Sequence, residues 1–243
     1  NTSQGYVMVK YNGTNEKVKL QITCPDQSCY TYLISDRGAY DTFPLTAGNG
    51  SYALQVLENV AGDTYTVSLA QSINVSIEDE FLPFLYPNQY VNFHTDSKAV
   101  SKGSDLAKDT YSDLDVVQNI YNYVIKNISY DTEKAQNVSY GYVPDIDDTL
   151  SSKKGICFDY AALMTSMLRS QNIPTKLEVG YSGDAYHAWI STYIDDKGWV
   201  DDIIQFNGNT WQIMDPTLAA TNDSAAVKKY VGDGSHYVVK YTY

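Results

Sequence analysis

The hydrophobic pattern divides the chain into two regions with different periods. From Tyr6 to about Ile77, short runs alternate apolar and polar residues, and turn residues such as Asn12-Gly13 separate them. Alternation with period two predicts strands that bury one face, and helical periodicity is absent from this region. Strands of this length and spacing predict a small, all-β, immunoglobulin-like sandwich. The strand-like runs are 5–11, 18–23, 52–57, 65–69 and 73–77.

A connector follows the strand-rich region. Pro83 and Pro87 precede a polar run from Thr95 to Lys108, which is typical of a segment between domains. We therefore place the boundary at residue 85 and interpret residues 86–110 as the connector. The sequence predicts an all-β domain over residues 1–85 and a second domain over residues 86–243.

Two amphipathic helices are predicted in the second domain. Residues 113–126 place Val116, Ile120 and Val124 on one side, with Ser112 or Asp113 as candidate N-caps. Residues 157–169 repeat apolar side chains at the same spacing. The polar segment between the helices, residues 127–152, is predicted to form a long loop.

Three strand-like runs follow the second helix. They cover residues 175–181, 187–194 and 210–214, and turn residues separate them at Asp195-Asp-Lys-Gly198 and Asn207-Gly208. Two helices followed by an antiparallel sheet make the second domain an α+β fold.

The charge balance narrows the choice of partners. The net charge is −12, which argues against binding to nucleic-acid phosphates or anionic lipids. No apolar run approaches the roughly 18 residues of a membrane span, so no transmembrane segment is predicted. The 23 tyrosines suit a secreted, sheet-rich protein. We expect an extracellular or cell-surface protein whose signal or lipid anchor lies outside this sequence.

The three cysteines fall into two groups. Cys24 and Cys29 flank a turn, and we predict a disulfide between them in an oxidising compartment. Cys157 stands alone at the first turn of its predicted helix, where the helix dipole favours a nucleophilic thiolate. The alternative is a buried structural cysteine, a common place for a free thiol.

A thiolate enzyme needs a base, and three histidines are available. His187 begins a strand after a glycine-containing loop, where it can face a helix N-terminus, whereas His94 lies in the connector and His236 in a polar tail. Asp215 ends the next strand-like run before Pro216 and can orient the imidazole. The alternatives are a half-buried sheet histidine and a surface aspartate.

The motifs around these residues resemble the core of the transglutaminase-like superfamily. The resemblance covers about residues 110–220 and implies a papain-like triad, with Cys157 as nucleophile, His187 as general base and acid, and Asp215 orienting His187. It also implies an acyl-thioester intermediate, typical of a cysteine protease, an amidase or a transglutaminase acting on peptide or protein amides. The motifs are Gly155-Ile-Cys157-Phe-Asp-Tyr-Ala161, Leu168-Arg169, Ile173-Pro174, Val179-Gly-Tyr181, His187-Ala-Trp189 and Trp211-Gln-Ile-Met-Asp-Pro-Thr217.

The sequence also offers candidates for substrate binding and allows expectations about cofactors, metals and partners. Tyr181, Trp189 and Trp211 are candidates for substrate binding, with core packing as the alternative for each. No cofactor and no metal ion are expected, because the acidic groups lack the spacing of a calcium loop and the histidines are far apart. Expected partners are a peptide or protein substrate, with cell-wall or surface proteins as candidates. The alternative function is a non-catalytic peptide-binding or adhesion module on the cell surface.

Overall fold

The structure divides into two compact units, Asn1–Pro83 and Phe84–Tyr243. It is a computed structural model and describes residues 1–34, 38–182, 184–195, 198–200, 204–206, 211–213 and 237–243. Of the helices within these residues, none has the length and apolar character that crossing a membrane requires.

The first unit is built from antiparallel strands, which confirms the all-β prediction. One sheet has the order β3-β2-β5-β6, and β1 pairs with β4. In β2 the residues Val18, Leu20 and Ile22 are buried, as period-two alternation predicts. Tyr32 and Phe43, one from each sheet, pack with ring centroids 4.8 Å apart, so the two sheets share a core. The strands are β1 (Tyr6–Lys10), β2 (Val18–Thr23), β3 (Cys29–Leu33), β4 (Tyr40–Pro44), β5 (Gly50–Ala61) and β6 (Thr64–Val75).

Two details of the first unit differ from the sequence prediction. The runs 65–69 and 73–77 belong largely to one long strand, β6. The strands β3 and β4 were not predicted, because tyrosine suits both wet and buried positions and hides the alternation. In β3 it is Tyr30 and Tyr32 that face the core.

The second unit combines helices with an antiparallel sheet, as predicted for an α+β domain. The sheet order is β11-β10-β9-β14. The helix α5 packs against β9 and β10 on one side and against α1, α2 and α4 elsewhere, so residues 159–169 are buried. The elements are α1 (Lys98–Ala107), α2 (Asp113–Asn127), β7 (Ser129–Tyr130), α3 (Thr132–Asn137), α4 (Ile146–Ser152), β8 (Lys154–Gly155), α5 (Cys157–Arg169), β9 (Thr175–Ser182), β10 (Ala185–Ile194), β11 (Gly198–Val200), β12 (Ile204–Phe206), β13 (Trp211–Ile213) and β14 (Tyr237–Thr242).

The two strongest helix predictions are confirmed. Helix α2 buries Val116, Ile120 and Val124, and Ser112 caps it by accepting a hydrogen bond from the Asp115 N–H at 3.2 Å. Helix α5 has the predicted bounds, 157–169.

Three short helices lie in segments for which the sequence predicts no helix, and two of them show that the prediction of a long loop over residues 127–152 was wrong. The polar run 95–108 contains α1, whose buried residues are the small Ala99 and Gly103, so no apolar stripe marks it. The segment 127–152 contains α3, which buries none of its residues, and α4, which buries Ile146 and Thr149. Helices this short and this exposed carry too few apolar positions to show a 3.6-residue period.

The end of the sheet also differs from the predicted meander. The strand β13 pairs with β12 in the described residues, and the sheet gains β14, an unpredicted strand that pairs with β9. Asp215 and His236 lie outside the described residues.

Candidate functional site

Cys157 is the first residue of α5, as the sequence predicts. Its neighbour Ile156 is the N-cap residue, with an extended backbone at φ −93° and ψ 176°. Backbone N–H groups at a helix start point along the axis towards this position, and the dipole there favours an anion. Cys157 is half-buried and lines a cavity described below.

A buried carboxylate holds this helix start. Asp159 is fully buried, and its Oδ2 accepts a 2.8 Å hydrogen bond from the Ile156 N–H. The same oxygen accepts from Lys134 Nζ at 2.8 Å, and Oδ1 accepts from the Tyr142 hydroxyl at 2.5 Å. A Cβ on Gly155 would lie 2.7 Å from the Asp159 Cβ, so glycine is required there for space.

The lysine and the tyrosine of this cluster also bind each other. Lys134 Nζ donates to the Tyr142 hydroxyl at 2.6 Å and lies 4.4 Å from the centre of its ring. Burial lowers the pKa of Lys134, but the hydrogen bonds to Asp159 and Tyr142 outweigh it, so the pKa is raised. Burial and the neighbouring carboxylate raise the pKa of Tyr142 to about 12. At neutral pH the cluster is therefore an ion pair with a neutral phenol.

His187 lies on β10, opposite Gly180 of β9. Its side chain is half-buried, and its ring lies 6.4 Å from the Trp189 ring at an interplanar angle of 28°. Residues two apart on a strand project from the same face, so Trp189 supports one side of the imidazole.

The structure brings Cys157 and His187 to one cavity of about 320 Å³. Helix α5 supplies the thiol and β10 supplies the imidazole, and α5 packs directly on β10. The volume is at the low end for small-molecule sites, roughly 300–1,000 Å³. The lining residues are Tyr90, Tyr130, Ala135, Val138, Ser139, Tyr142, Ile156, Cys157, Phe158, Val179, Tyr186, His187, Ala188 and Tyr243.

Aromatic side chains form much of the cavity lining. Tyr90 packs against Phe158 with ring centroids 5.3 Å apart and against Tyr243 at 4.7 Å. Burial raises the pKa of Tyr90 to about 12, and burial also raises the pKa of the partly exposed Tyr186. These phenols are neutral at physiological pH, so the lining is apolar with polar tips.

The other predicted site residues lie elsewhere. Trp189 is buried, packs against Tyr237 at 4.9 Å and does not line the cavity; its Nε1 has no hydrogen-bond partner among the described residues. Tyr181 is exposed and packs against Tyr186. The backbone of Trp211 lies in β13, and Asp215 falls outside the described residues. Their functional roles stay predictions.

The cysteines of the first unit are not bonded to each other in this structure. Cys24 is buried and Cys29 is exposed. Burial raises the pKa of the Cys24 thiol. The disulfide stays a prediction for an oxidising compartment. Within the described residues, no group of three or more His, Cys, Asp or Glu lies close enough to hold a metal ion.

Sequence reasoning missed the cluster around Asp159. Asp159 stands inside the motif that contains Cys157, and its position three residues after the N-cap is the signal that a carboxylate caps the helix. No sequence signal connects it to Lys134 and Tyr142, because both lie in the segment interpreted as a loop.

Residues 101–201 match the family model described as the transglutaminase-like superfamily. The match includes Cys157 and His187 and ends before Asp215.

Two curated proteins are similar to part of the chain. The UPF0252 protein MJ1282 of Methanocaldococcus jannaschii is 30% identical over 118 residues, which cover 42% of this chain and 34% of that protein. The kyphoscoliosis peptidase of Mus musculus is 30% identical over 107 residues, which cover 39% of this chain and 16% of that protein. The chain thus spans about a third or less of these relatives.

Among solved structures, the periplasmic domain of TgpA from Pseudomonas aeruginosa superposes with a TM-score of 0.46 at 14% sequence identity. The superposition covers 91% of this chain and 90% of that one.

Proposed function

We propose that this chain, whose residues 101–201 form a transglutaminase-like domain, is a thiol-dependent acyl-transfer enzyme acting on peptide or protein amides. The observation that carries the proposal is that Cys157, at the start of α5, and His187, on β10, line the same cavity. A thiol at a helix start and an imidazole at one cavity are the nucleophile and base that acyl transfer needs.

The proposed reaction proceeds in two halves. His187 takes the thiol proton, the Cys157 sulfur attacks the amide carbonyl carbon, and the backbone N–H of Cys157 stabilises the oxyanion. His187 then gives the proton to the leaving amine as the C–N bond breaks, which leaves an acyl thioester. Water or a second amine attacks that thioester, His187 accepts the proton of the attacking group, and the Cys157 sulfur leaves as the C–S bond breaks and takes the proton back from His187. Asp215 is proposed to orient His187.

Substitution of the nucleophile tests the proposal. In a peptide library incubated with water alone or with a primary amine probe, we expect mass spectrometry to detect hydrolysis or transamidation products. The variants Cys157→Ala and His187→Ala are expected to lower the turnover rate by about 10⁴-fold or more, because members of such a triad act as a unit.

The chain offers matched controls for both variants. Cys29 is exposed and lies in the first unit, and His94 is exposed and does not line the cavity. Cys29→Ala and His94→Gln should therefore turn over substrate at the unsubstituted rate. Turnover that survives Cys157→Ala would disprove the thiol mechanism, and tight peptide binding without turnover would favour the non-catalytic binding module.

We further propose an extracellular or cell-surface location, with peptide or protein substrates and cell-wall or surface proteins as the partner classes. The expected bridge between Cys24 and Cys29 provides a test. Mass spectrometry of the protein isolated from its source under thiol-blocking conditions should find these two cysteines bonded and Cys157 alkylated.

A further inference from the structure

The cluster of Asp159, Lys134 and Tyr142 connects the start of α5 to α3 and the residues that follow α3. Asp159 belongs to α5, whereas Lys134 lies on α3 and Tyr142 follows α3. Ala135, Val138, Ser139 and Tyr142 line the cavity, so α3 and the residues after it form one of its walls. Lys134 and Tyr142 donate hydrogen bonds to the Asp159 carboxylate, which also accepts one from the backbone N–H of Ile156, the residue before Cys157.

We infer that Lys134, Tyr142 and Asp159 are positioning residues for Cys157: they fix the α5 start against the cavity wall and keep the charge beside the thiol balanced. This inference rests on the proposed role of Cys157 as nucleophile. The cluster need not touch the substrate or the reacting atoms through Lys134 or Asp159, because neither lines the cavity.

The charge argument follows from the burial of the pair. The Asp159 side chain is 0% exposed and that of Lys134 is 29% exposed, so water screens their charges weakly. When Lys134 and Asp159 are paired, the electrostatic effects of their opposite charges on the Cys157 thiol largely cancel. An unpaired carboxylate two residues from Cys157 would disfavour the thiolate, and an unpaired ammonium would favour it.

The charges of Lys134 and Asp159 can be changed without altering the described lining of the cavity, although Asp131, Glu133, Asp148 and Lys154 share a second pocket with Lys134. The other titratable side chains that share the cavity with Cys157 are His187 and the phenols of Tyr90, Tyr130, Tyr142, Tyr186 and Tyr243. Without Lys134, Asp159 still accepts hydrogen bonds from the Ile156 N–H and the Tyr142 hydroxyl.

The experiment measures the alkylation rate of Cys157 by iodoacetamide as a function of pH, in the full chain with Cys29→Ala. Cys24 is buried, and mass spectrometry assigns the alkylated residue. Lys134→Met should slow alkylation at pH 7 by about three- to tenfold and move the profile to higher pH. Asp159→Asn should accelerate it by a similar factor and move the profile to lower pH.

Two further variants separate charge from structure. Tyr142→Phe keeps both charges, so the pH dependence of Cys157 alkylation should match that of the unsubstituted protein. For peptides, KM should rise more than kcat falls, because residue 142 lines the cavity and has lost its hydrogen bond to Asp159. Lys134→Arg keeps the cation and should restore the rate that Lys134→Met loses. A merely structural role would not produce opposite shifts in two variants.

The outcomes distinguish this inference from the proposed function. Shifts of the same sign in Lys134→Met and Asp159→Asn, or no shift while Cys157 still reacts, would overturn the positioning role. A Cys157 that resists alkylation in the unsubstituted protein at every pH, but reacts after denaturation, would instead overturn the proposed function. If Asp159→Asn does not fold, the slowing in Lys134→Met and its rescue in Lys134→Arg still decide, because Lys134 is partly exposed and Lys134→Arg keeps the ion pair.

Discussion

At the scale of single residues, Arg169 shows how a buried charge holds the domain together. Its side chain is buried at the end of α5, and its three nitrogens donate to backbone oxygens of Thr175, Tyr86 and Tyr243 at 2.7–2.9 Å. Burial lowers its pKa to about 9, which still leaves the guanidinium protonated at neutral pH. The planar fork of arginine suits three acceptors in different directions, which a lysine cannot reach together.

Replacing Arg169 should therefore reduce stability sharply. In Arg169→Met, three carbonyl oxygens lose their charged donor in the interior, and we expect the free energy of unfolding to fall by at least about 3 kcal/mol. Urea unfolding followed by tryptophan fluorescence measures this change.

The matched variant is Arg169→Lys, which keeps the positive charge and loses the planar guanidinium with its several N–H donors. It should be destabilised as well, but by less than Arg169→Met. Equal stability of Arg169→Met and the unsubstituted protein would show that the three hydrogen bonds contribute nothing net.

At the scale of elements, the sequence predicts the helices that bury a wide apolar stripe. It does not predict the helices and strands that pack through small or aromatic residues. Helices α2 and α5 repeat large apolar residues and are found at their predicted positions. Helix α1 escapes prediction because its buried residues are the small Ala99 and Gly103, and Gly103 lies against Met167 of α5.

The candidate site follows the same division. The helix start of Cys157 and the strand of His187 are readable from local pattern. Their meeting at one cavity is a tertiary result, which the position of His187 after a loop suggested and the family resemblance implied. Tyr90 and Tyr243 lie 153 positions apart by number and pack at 4.7 Å, a contact that no local period encodes.

The close approach of α1 to α5 yields a prediction. A Cβ on Gly103 would lie 3.1 Å from the carbonyl oxygen and 3.2 Å from the Cα of Met167, which belong to the buried helix α5. Backbone atoms of a buried helix cannot rotate away, so α1 must move. Gly103→Val should lower the free energy of unfolding by about 1–3 kcal/mol, which a thermal unfolding scan detects as a lower Tm.

Ser104→Val is the control for this substitution. It places the same β-branched residue at the next, exposed position of α1. A Tm loss in Ser104→Val as large as that in Gly103→Val would attribute the effect to helix propensity rather than to the contact with Met167.

At the scale of the whole molecule, the protein carries a net charge of −12, whereas the cavity is lined by uncharged side chains and His187 in the described residues. In the described residues, the lining contains no acidic side chain and no Lys or Arg. Under the proposed function, a charge on a peptide substrate therefore finds no acidic, Lys or Arg side chain in the described lining and acts mainly through the field of the entire surface. Such a field reaches about 30 Å at 0.01 M ionic strength and about 10 Å at 0.1 M.

Substrate preference should consequently depend on salt. For two peptides with the same neutral residues around the reacting amide and three Lys or three Glu at a remote end, we expect kcat/KM to favour the cationic peptide by about tenfold at low salt. The preference should shrink towards one near 0.5 M salt, while kcat stays equal, because screening removes the long-range attraction and leaves the neutral contacts intact. Steady-state kinetics across a salt series measures this ratio. A preference that persists unchanged at high salt would instead require a carboxylate in direct contact with the substrate.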